Sequence, residues 1–568
     1  MNFSVLKSVL AVVAVVSAMV AVFVAQISPS KMTESLIGQF GRVSGLVITP
    51  QAQAKARLLV HLLPWPSVEI IDLEAEVPAE NFRISGGSIR ANLRFLPTLV
   101  GRIEFYSLNF TDAHIDWTAP DASKPFSSPQ MQRLPVYAIN LARSSITIHN
   151  IGVADIELEQ LNAHLGLPGS NRPLSLEARF QWDGTAATLT GSLDEPQKWL
   201  QREKSALAAT LTLGKSSLKV SGAAQINNGF SFMGRLNADV TEFNPVLTAL
   251  GHPPARLAQI QLTNFDSTLK IDQSAAMLTN VTANVNGVKV EGNLSLLGGS
   301  HPRLSTTLAA DYLELGAADL LGWRKDLAAR AANLQSGGVF TELPCDIDLR
   351  ASFGKAKIAG ISGENLAISL RSKPEYLEIS IDDAKIYEGV AHGFFTLSKT
   401  RNILTVHHKY TLAGLDLALA AAEHPALKQI TGTLSASVEL LGHEFDGAVP
   451  FSGSNGNGVF LLENAVWSGG DLAKWLDQNT PPSTIPPGFT QITKANGALM
   501  ITGGTMQLDR ATLAARNFSA QLAGSLNLPG HFFDLQLIGR FPLPRANTTP
   551  LPYDSNATSI TRNWRGNW

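Results

Sequence analysis

The 568-residue chain has a single cysteine, Cys345, and little charge. One cysteine excludes an intramolecular disulfide and any multi-cysteine zinc or iron–sulfur site. Charged residues make up 16% of the chain, whereas about 25% is usual in soluble domains. The 45 lysines and arginines nearly balance 47 acidic residues, which gives a net charge of -2. This balance argues against a nucleic-acid-binding protein, because phosphate recognition requires clustered positive charge.

The common catalytic motifs are also missing, since the chain has no HExxH, Walker A or GxSxG sequence. The glycine-rich run at 453–458 lies between alternating apolar segments and is interpreted as a loop between strands rather than a phosphate cradle. His407 and His408 are neighbours in an alternating strand, so their rings should point to opposite faces and cannot share a metal ion. The sequence predicts no enzyme, no cofactor and no metal site.

The N-terminus carries one long apolar run. Residues 8–30 contain no charged side chain. The run is long enough for a transmembrane helix and longer than a signal-peptide core. Phe23 stands where signal cleavage needs a small residue, so we expect an uncleaved anchor over residues 1–30, with a cytoplasmic N-terminus. The apolar positions of this anchor are Val9, Leu10, Val13, Val16, Val20, Val24 and Ile27.

Beyond the anchor, apolar and polar residues alternate over most of the chain. Residues 174–182 read LSLEARFQW, and Asp183-Gly184 then predicts a hairpin turn. Similar phrases at 218–222, 288–294 and 519–526 contain a glycine inside the strand, which is typical of a bend, a bulge or a close approach. The predicted fold is mainly β, with a long antiparallel sheet and a few short helices. The short helices are predicted at 197–204, 244–250, 315–334 and 471–478.

Several phrases at the two ends of the chain occur in a specific order. After the anchor come GRV at 41–43, LPWPSVEIIDL at 63–73 and LPTLVGRIEFYSLNF at 96–110. The C-terminal half has AKIYEGVAHG at 384–393 and VWSGGDL at 466–472. This order resembles the AsmA family of bacterial envelope proteins. The residues that carry the C-terminal match are Tyr387, Gly389, Gly393, Gly432, Gly470, Asp471 and Gly524.

Two positions depart from the family pattern. Ala113 begins a stretch where the family usually has proline, and Asn464-Ala465 stands where a glycine is usual. The resemblance implies a single-pass inner-membrane protein whose periplasmic β-sheet curls into an elongated groove, as in TamB and the chorein-type bridge-like lipid-transfer proteins. The predicted segments are the anchor at 1–30, an N-terminal AsmA/chorein-like module at 31–118, a Pro/Ser-rich linker at 119–135, a repeated β-sheet middle at 136–385, a C-terminal AsmA-like domain at 386–541 and a disordered tail at 542–568.

The resemblance and the excess of alternating apolar residues favour lipid handling. The expected function is that of an anchored periplasmic lipid-binding or lipid-transfer protein, which would contribute to phospholipid movement and outer-membrane homeostasis. The alternative is an outer-membrane protein assembly factor or regulator that acts through protein contacts at a sheet edge. An enzyme acting on polysaccharide is the least favoured reading. The expected partners are phospholipids, the inner membrane and envelope-assembly or outer-membrane proteins, but no nucleic acid.

Overall fold

A computed structural model places 31 strands, four α-helices and one 3-10 helix among the residues that it describes. Strands hold 76% of these residues, which confirms the predicted mainly β class. The described residues are 47–48, 57–61, 67–72, 74–77, 82–94, 105–118, 137–149, 155–167, 173–226, 229–242, 261–299, 301–332, 346–400, 403–443, 453–476, 485–527, 530–540 and 559–567.

The chain divides into two compact units, residues 1–273 with 283–286 and residues 274–282 with 287–568. The strands of the first unit are β1 Val47–Ile48, β2 Arg57–His61, β3 Ser67–Ile71, β4 Ala75–Val77, β5 Phe82–Ser85, β6 Ser88–Leu93, β7 Phe105–Thr111, β8 His114–Thr118, β9 Ala138–His149, β10 Ile156–Gly166, β11 Leu174–Trp182, β12 Thr185–Leu193, β13 Ser205–Leu213, β14 Ser216–Ile226, β15 Phe230–Val240 and β16 Leu262–Ile271. Strand β17, Ala275–Val285, has residues in both units.

The second unit continues with fourteen strands. They are β18 Val288–Leu297, β19 Arg303–Leu315, β20 Asp346–Ile358, β21 Ile361–Lys373, β22 Tyr376–Ile386, β23 Gly389–Thr400, β24 Ile403–Asp416, β25 Ile430–Gly442, β26 Ser454–Trp467, β27 Thr490–Thr502, β28 Thr505–Ala515, β29 Ser519–Asn527, β30 Phe532–Arg540 and β31 Ser559–Asn567. The α-helices of the chain are α1 Pro196–Leu200, α2 Ala317–Ala332, α3 Leu417–Glu423 and α4 Leu472–Trp475, and the 3-10 helix is Pro425–Leu427.

Two ribbons of short strands meet on β9 in the first unit. One ribbon runs β1–β4–β5–β8 and the other β2–β3–β6–β7. β7 pairs with the first half of β9 and β8 with the second half, both in parallel. Between these halves Arg143 has a positive φ of 49, and its guanidinium donates to the Asp112 carboxylate at 2.9 and 2.8 Å. From β9 to β16 each strand pairs antiparallel with the next.

In the second unit, strands β18 to β31 are neighbours in chain order. All of these pairs are antiparallel except β19–β20. The prediction of an antiparallel sheet is therefore right for most pairs and wrong for β7–β9, β8–β9 and β19–β20. A parallel pair needs a long crossover. The connections at 119–137 and 316–345 are long enough to provide one.

The predicted hairpin at 183–184 is confirmed. Trp182 pairs with Thr185, and both turn residues have positive φ, as a two-residue type I′ turn requires. Three predicted helices are present as the shorter α1, α2 and α4. The predicted helix at 244–250 lies outside the described residues, as does the whole predicted linker at 119–135. The sequence prediction missed α3, although Asp416 before LALAAAE is a capping residue followed by good helix formers.

The disorder predicted for the whole tail is wrong for residues 559–567, which form β31 against β30. Trp564 of this strand packs on Phe533 and Trp467, with ring centroids 5.1 and 5.7 Å apart. The strand has only two large apolar residues, Ile560 and Trp564, so its alternation is hard to recognise in the sequence. Long-range packing of one indole ring stabilises a segment whose own pattern is weak.

Candidate functional site on the apolar face of the sheet

In the first unit the register brings apolar positions of successive strands onto one face. Leu176 of β11 pairs with Gly191 of β12, which pairs with Ala209 of β13. Ala209 in turn pairs with Val220 of β14. Glu177, next to Leu176, is exposed on the opposite face. Because side chains alternate along each strand, this in-line pairing makes one face apolar and the other polar.

The second unit repeats this arrangement. Val438 of β25 pairs with Gly458 of β26, which pairs with Leu499 of β27. Met500, one residue further, points to the opposite face and is 56% exposed. All described strands from β18 to β31 belong to one sheet, so no second sheet among them covers the apolar face. We call the half-buried apolar residues on this face the open part: Ala436, Val438, Leu499, Met506, Leu526 and Phe533.

Helices α3 and α4 cover one end of the same apolar face. Each begins at an aspartate whose side chain accepts backbone hydrogen bonds, Asp416 from Ala418 N at 2.7 Å and Asp471 from Lys474 N at 2.9 Å. Trp475 is 1% exposed, which shows how completely α4 is packed. We call the buried residues here the covered end: Leu415, Leu417, Ala420, Leu462, Ala465, Leu472, Trp475, Leu476, Ile492, Ala495, Phe518, Ala520 and Leu537.

Tyr387, one of the residues that carry the family resemblance, ties α3 to the sheet. Tyr387 and Glu388 have φ values of 46 and 66 in the two-residue turn between β22 and β23. The Tyr387 hydroxyl donates to Glu423 at the end of α3, and the Ser362 hydroxyl donates to the same carboxylate at 2.6 Å. Hydrogen bonds from Ser362 and Tyr387 lower the pKa of Glu423. Burial is the main cause that raises the pKa of Tyr387, to about 12. The hydrogen bond to Glu423 and the charge of this carboxylate raise it further in the same direction.

The glycines that carry the resemblance mark close backbone approaches. A Cβ on Gly389 would lie 2.7 Å from Leu415 N. Four others would also clash: Gly393 with Tyr410 at 2.5 Å, Gly432 with Ala465 at 2.7 Å, Gly470 with Ile485 at 2.4 Å and Gly524 with Asp534 at 2.2 Å. With Tyr387 and Asp471 they are spread from β22 to β29, so the structure gives them structural roles and does not bring them together at one point.

Two ionisable residues, His408 and Tyr410, lie on the apolar face of β24. His408 is 9% exposed and packs against Phe395 and Tyr410, with ring centroids 5.0 and 6.1 Å apart. Burial, with a smaller contribution from the charge of Arg324, lowers the pKa of His408 to about 4. His408 is therefore neutral at pH 7. The neighbouring His407 lies on the opposite face, 3.0 Å from a Glu439 oxygen, which confirms the predicted opposition of the two rings.

The glycine-rich run at 453–458 is not a loop, because β26 begins at Ser454. Gly456 and Gly458 lie on the apolar face, and a Cβ on Gly456 would come within 2.0 Å of the Glu439 carbonyl oxygen. Within the described residues, no three His, Cys, Asp or Glu side chains are placed to hold a metal ion. Cys345 lies outside the described residues.

The predicted anchor, from Val9 to Ile27, also lies outside the described part of the chain. Among the helices that the structure describes, none is both long and apolar enough to cross a membrane. Comparisons with protein-family models, curated proteins and solved structures found no match to this chain. The AsmA resemblance is therefore supported by the quoted sequence phrases alone.

Proposed function

We propose that this protein is a membrane-anchored, periplasmic lipid-binding or lipid-transfer protein of the AsmA type. The single observation that carries the proposal is the open part of the apolar face. Its side chains, which are those of alanine, valine, leucine, methionine and phenylalanine, are only half-buried. Leu499, Leu526 and Phe533 pack around buried Leu508 and Leu535 and keep one side in water. Partly exposed apolar side chains grouped on one face are typical of a surface that binds something apolar.

Acyl chains fit such a surface because burial needs no specific partner atom. Each buried methylene contributes about 0.8 kcal/mol. Ten methylenes along the strands would contribute roughly 8 kcal/mol, before the cost of ordering the chain. This explains why no catalytic or ligand-specific motif stands out. The headgroup would remain in water beside the sheet.

The small residues on the face support the same use. Gly458 and Ala436 lie beside the larger Val438 and Leu499. Small and large apolar side chains are therefore neighbours on this face, and methylene chains can pack against both. The residues that we expect to contact lipid in the second unit are those of the open part. In the first unit, Leu176 and Val220 occupy the corresponding positions.

Site-specific photocrosslinking in cells tests the proposal. We expect benzoylphenylalanine at position 499 to crosslink to phospholipid, because Leu499 lies on the apolar face. The same probe at position 500 is the matched control, because Met500 lies one residue away on the opposite face. Equal lipid crosslinking from both positions, or none from position 499, would contradict lipid binding at this surface.

One observation favours the alternative, an envelope-assembly factor that acts through protein contacts. The opposite face of β25–β27 carries three large exposed apolar residues: Leu441 at 54%, Val459 at 56% and Met500 at 56%. Exposed apolar residues in one region of a sheet are typical of a protein-binding surface. Under this alternative, benzoylphenylalanine at position 459 would crosslink to a protein, and position 499 would give no lipid product.

A further inference from the structure

The polar face of the second unit has a cavity of about 350 Å³ over strands β20 to β23. Arg350, Ser369 and Ser380 pair in register across β20, β21 and β22, and all three line it. Ile368, next to Ser369, pairs with Ile381 on the apolar face. Because neighbouring residues of a strand point to opposite faces, the cavity lies on the side away from the proposed lipid surface. Its volume is within the range of small-molecule sites.

The charges that line this cavity cancel. Arg350 and Arg371 are the cations, and Glu378 and Asp382 are the anions. The Arg371 guanidinium lies 3.5 Å from a Glu378 oxygen. Among the residues that the structure describes, none forms an ion pair with the exposed Arg350. A cavity without net charge favours neither a phosphate nor a metal cation, but it offers strong donors and acceptors to a neutral polar ligand.

Two serine hydroxyl groups and a carboxylate form a hydrogen-bonded chain in the cavity. Ser369 is 7% exposed, and its Oγ lies 2.5 Å from the Oγ of Ser380. Ser380 donates to the Asp382 carboxylate at 2.6 Å. Because each group is held by its neighbour, the chain is positioned before any ligand binds. A ligand hydroxyl group, which both donates and accepts, can extend such a chain.

The half-buried ring of Phe394 completes the lining. It packs edge-on against His407, with ring centroids 4.9 Å apart. One aromatic ring beside charged and hydroxyl groups matches a sugar, whose ring has C–H groups on its faces and hydroxyl groups around its rim. The negative face of an aromatic ring attracts such weakly positive hydrogens. An extended peptide fits less well, because the backbone groups of these central strands already pair with each other.

We propose that this cavity is a saccharide-binding site for a short, neutral segment of a glycan. Arg350 and Asp382 bind ring hydroxyl groups, and Phe394 packs on the C–H groups of the sugar. The site is independent of the apolar face, so one strand layer can bind a glycan on one side and lipid on the other. A glycan chain and the sugar headgroup of a glycolipid share this chemistry, and the experiment separates them.

The test is isothermal titration calorimetry on the full chain held in amphipol. The probes are chitotriose and maltotriose free in solution, vesicles that contain digalactosyldiacylglycerol, and inorganic phosphate. We expect Arg350→Ala to weaken saccharide binding about tenfold, since a hydrogen bond to a charged group contributes that much. Phe394→Leu, which keeps an apolar side chain without the ring, should weaken it roughly two- to tenfold. Arg179→Ala is the matched control, because Arg179 is also an exposed arginine on a polar strand face and does not line this cavity.

Binding of a free trisaccharide that depends on Arg350 identifies a glycan chain as the ligand. Binding of the vesicles alone, with the same dependence, identifies a glycolipid headgroup. The proposal is overturned if no saccharide binds, if Arg350→Ala and Phe394→Leu bind as the unaltered protein does, or if phosphate alone binds. Lipid crosslinking from position 499 should be unchanged in Arg350→Ala, so a failure of this site is distinguishable from a failure of the proposed function.

Discussion

The covered end and the open part of the apolar face are built from the same alternating strands but have different surroundings. At the covered end, α4 places Trp475 and Leu476 against the sheet, where they are 1% and 0% exposed. In the open part, Leu499 and Phe533 stay half-buried. Alternation thus produces an apolar face along the whole strand. Helices α3 and α4 account for the burial at the covered end. Leu440 and Ile501 of the same face, each 1% exposed, are buried outside it.

The largest expected effect is on folding stability at the covered end. Leu476→Ala should lower the free energy of unfolding by about 2–5 kcal/mol, because it removes buried methyl groups and leaves a cavity. Leu499→Ala should cost at most about 1 kcal/mol, since its side chain is already partly in water. Denaturant unfolding of both variants measures the difference. Equal losses would mean that the open part is also core.

A charge in the open part should act on binding rather than on folding. Leu499→Asp is expected to weaken binding of a fluorescent phospholipid at least tenfold, because a carboxylate would have to be desolvated against the acyl chain. Met500→Asp, on the opposite face of the same strand, should leave binding unchanged. Circular dichroism and unfolding curves check that both variants fold. Unfolding of Leu499→Asp alone would show that this position is structural.

A smaller effect is expected at the start of α3. Asp416→Ala should lower the free energy of unfolding by about 1 kcal/mol, because Ala418 and Leu419 lose the capping acceptor for their backbone N–H groups. Asp416→Asn, which keeps a capping oxygen, should retain most of the stability. If Asp416→Ala changed lipid binding more than stability, the covered end would have to be included in the binding surface.

The smallest expected effect is a pH dependence at His408, whose pKa falls from 6.5 to about 4 in the folded chain. Between these two values the unfolded chain binds a proton that the folded chain does not. The stability contributed by neutral His408 is therefore fully present above about pH 6.5 and is lost as the pH falls towards 4. His408→Gln should flatten this part of the profile, measured by unfolding at several pH values. An identical profile in the variant would contradict the assignment.

Local sequence patterns predicted the strands well. Residues 174–182 alternate strictly and form β11 with those bounds, and the Asp183-Gly184 turn follows them. These features depend on side-chain period and turn chemistry, which act within a few residues. The opposite orientation of His407 and His408 follows from the same period. The strand bounds, the turn and the orientation of the two histidines can all be predicted without knowing which strands pair.

Features that depend on distant residues could not be read from the sequence. The parallel pairing of β19 with β20 is set by the crossover that contains α2 rather than by either strand's own pattern. β31 is held by Trp564 against Phe533, a contact between segments 31 residues apart. The burial of His408 on the apolar face also depends on the rings of Phe395 and Tyr410 that pack against it. The apolar face was expected, whereas its division into a covered end and an open part was not.

The most direct test of the central claim is the lipid content of the purified protein. The full chain is released with mild detergent, and its extracted lipids are identified and counted by mass spectrometry, with Leu499→Asp purified in parallel. We predict at least one phospholipid per unaltered chain and a clear loss in the variant. Phospholipid at background level in the unaltered protein would contradict the claim that the open part of the apolar face binds lipid.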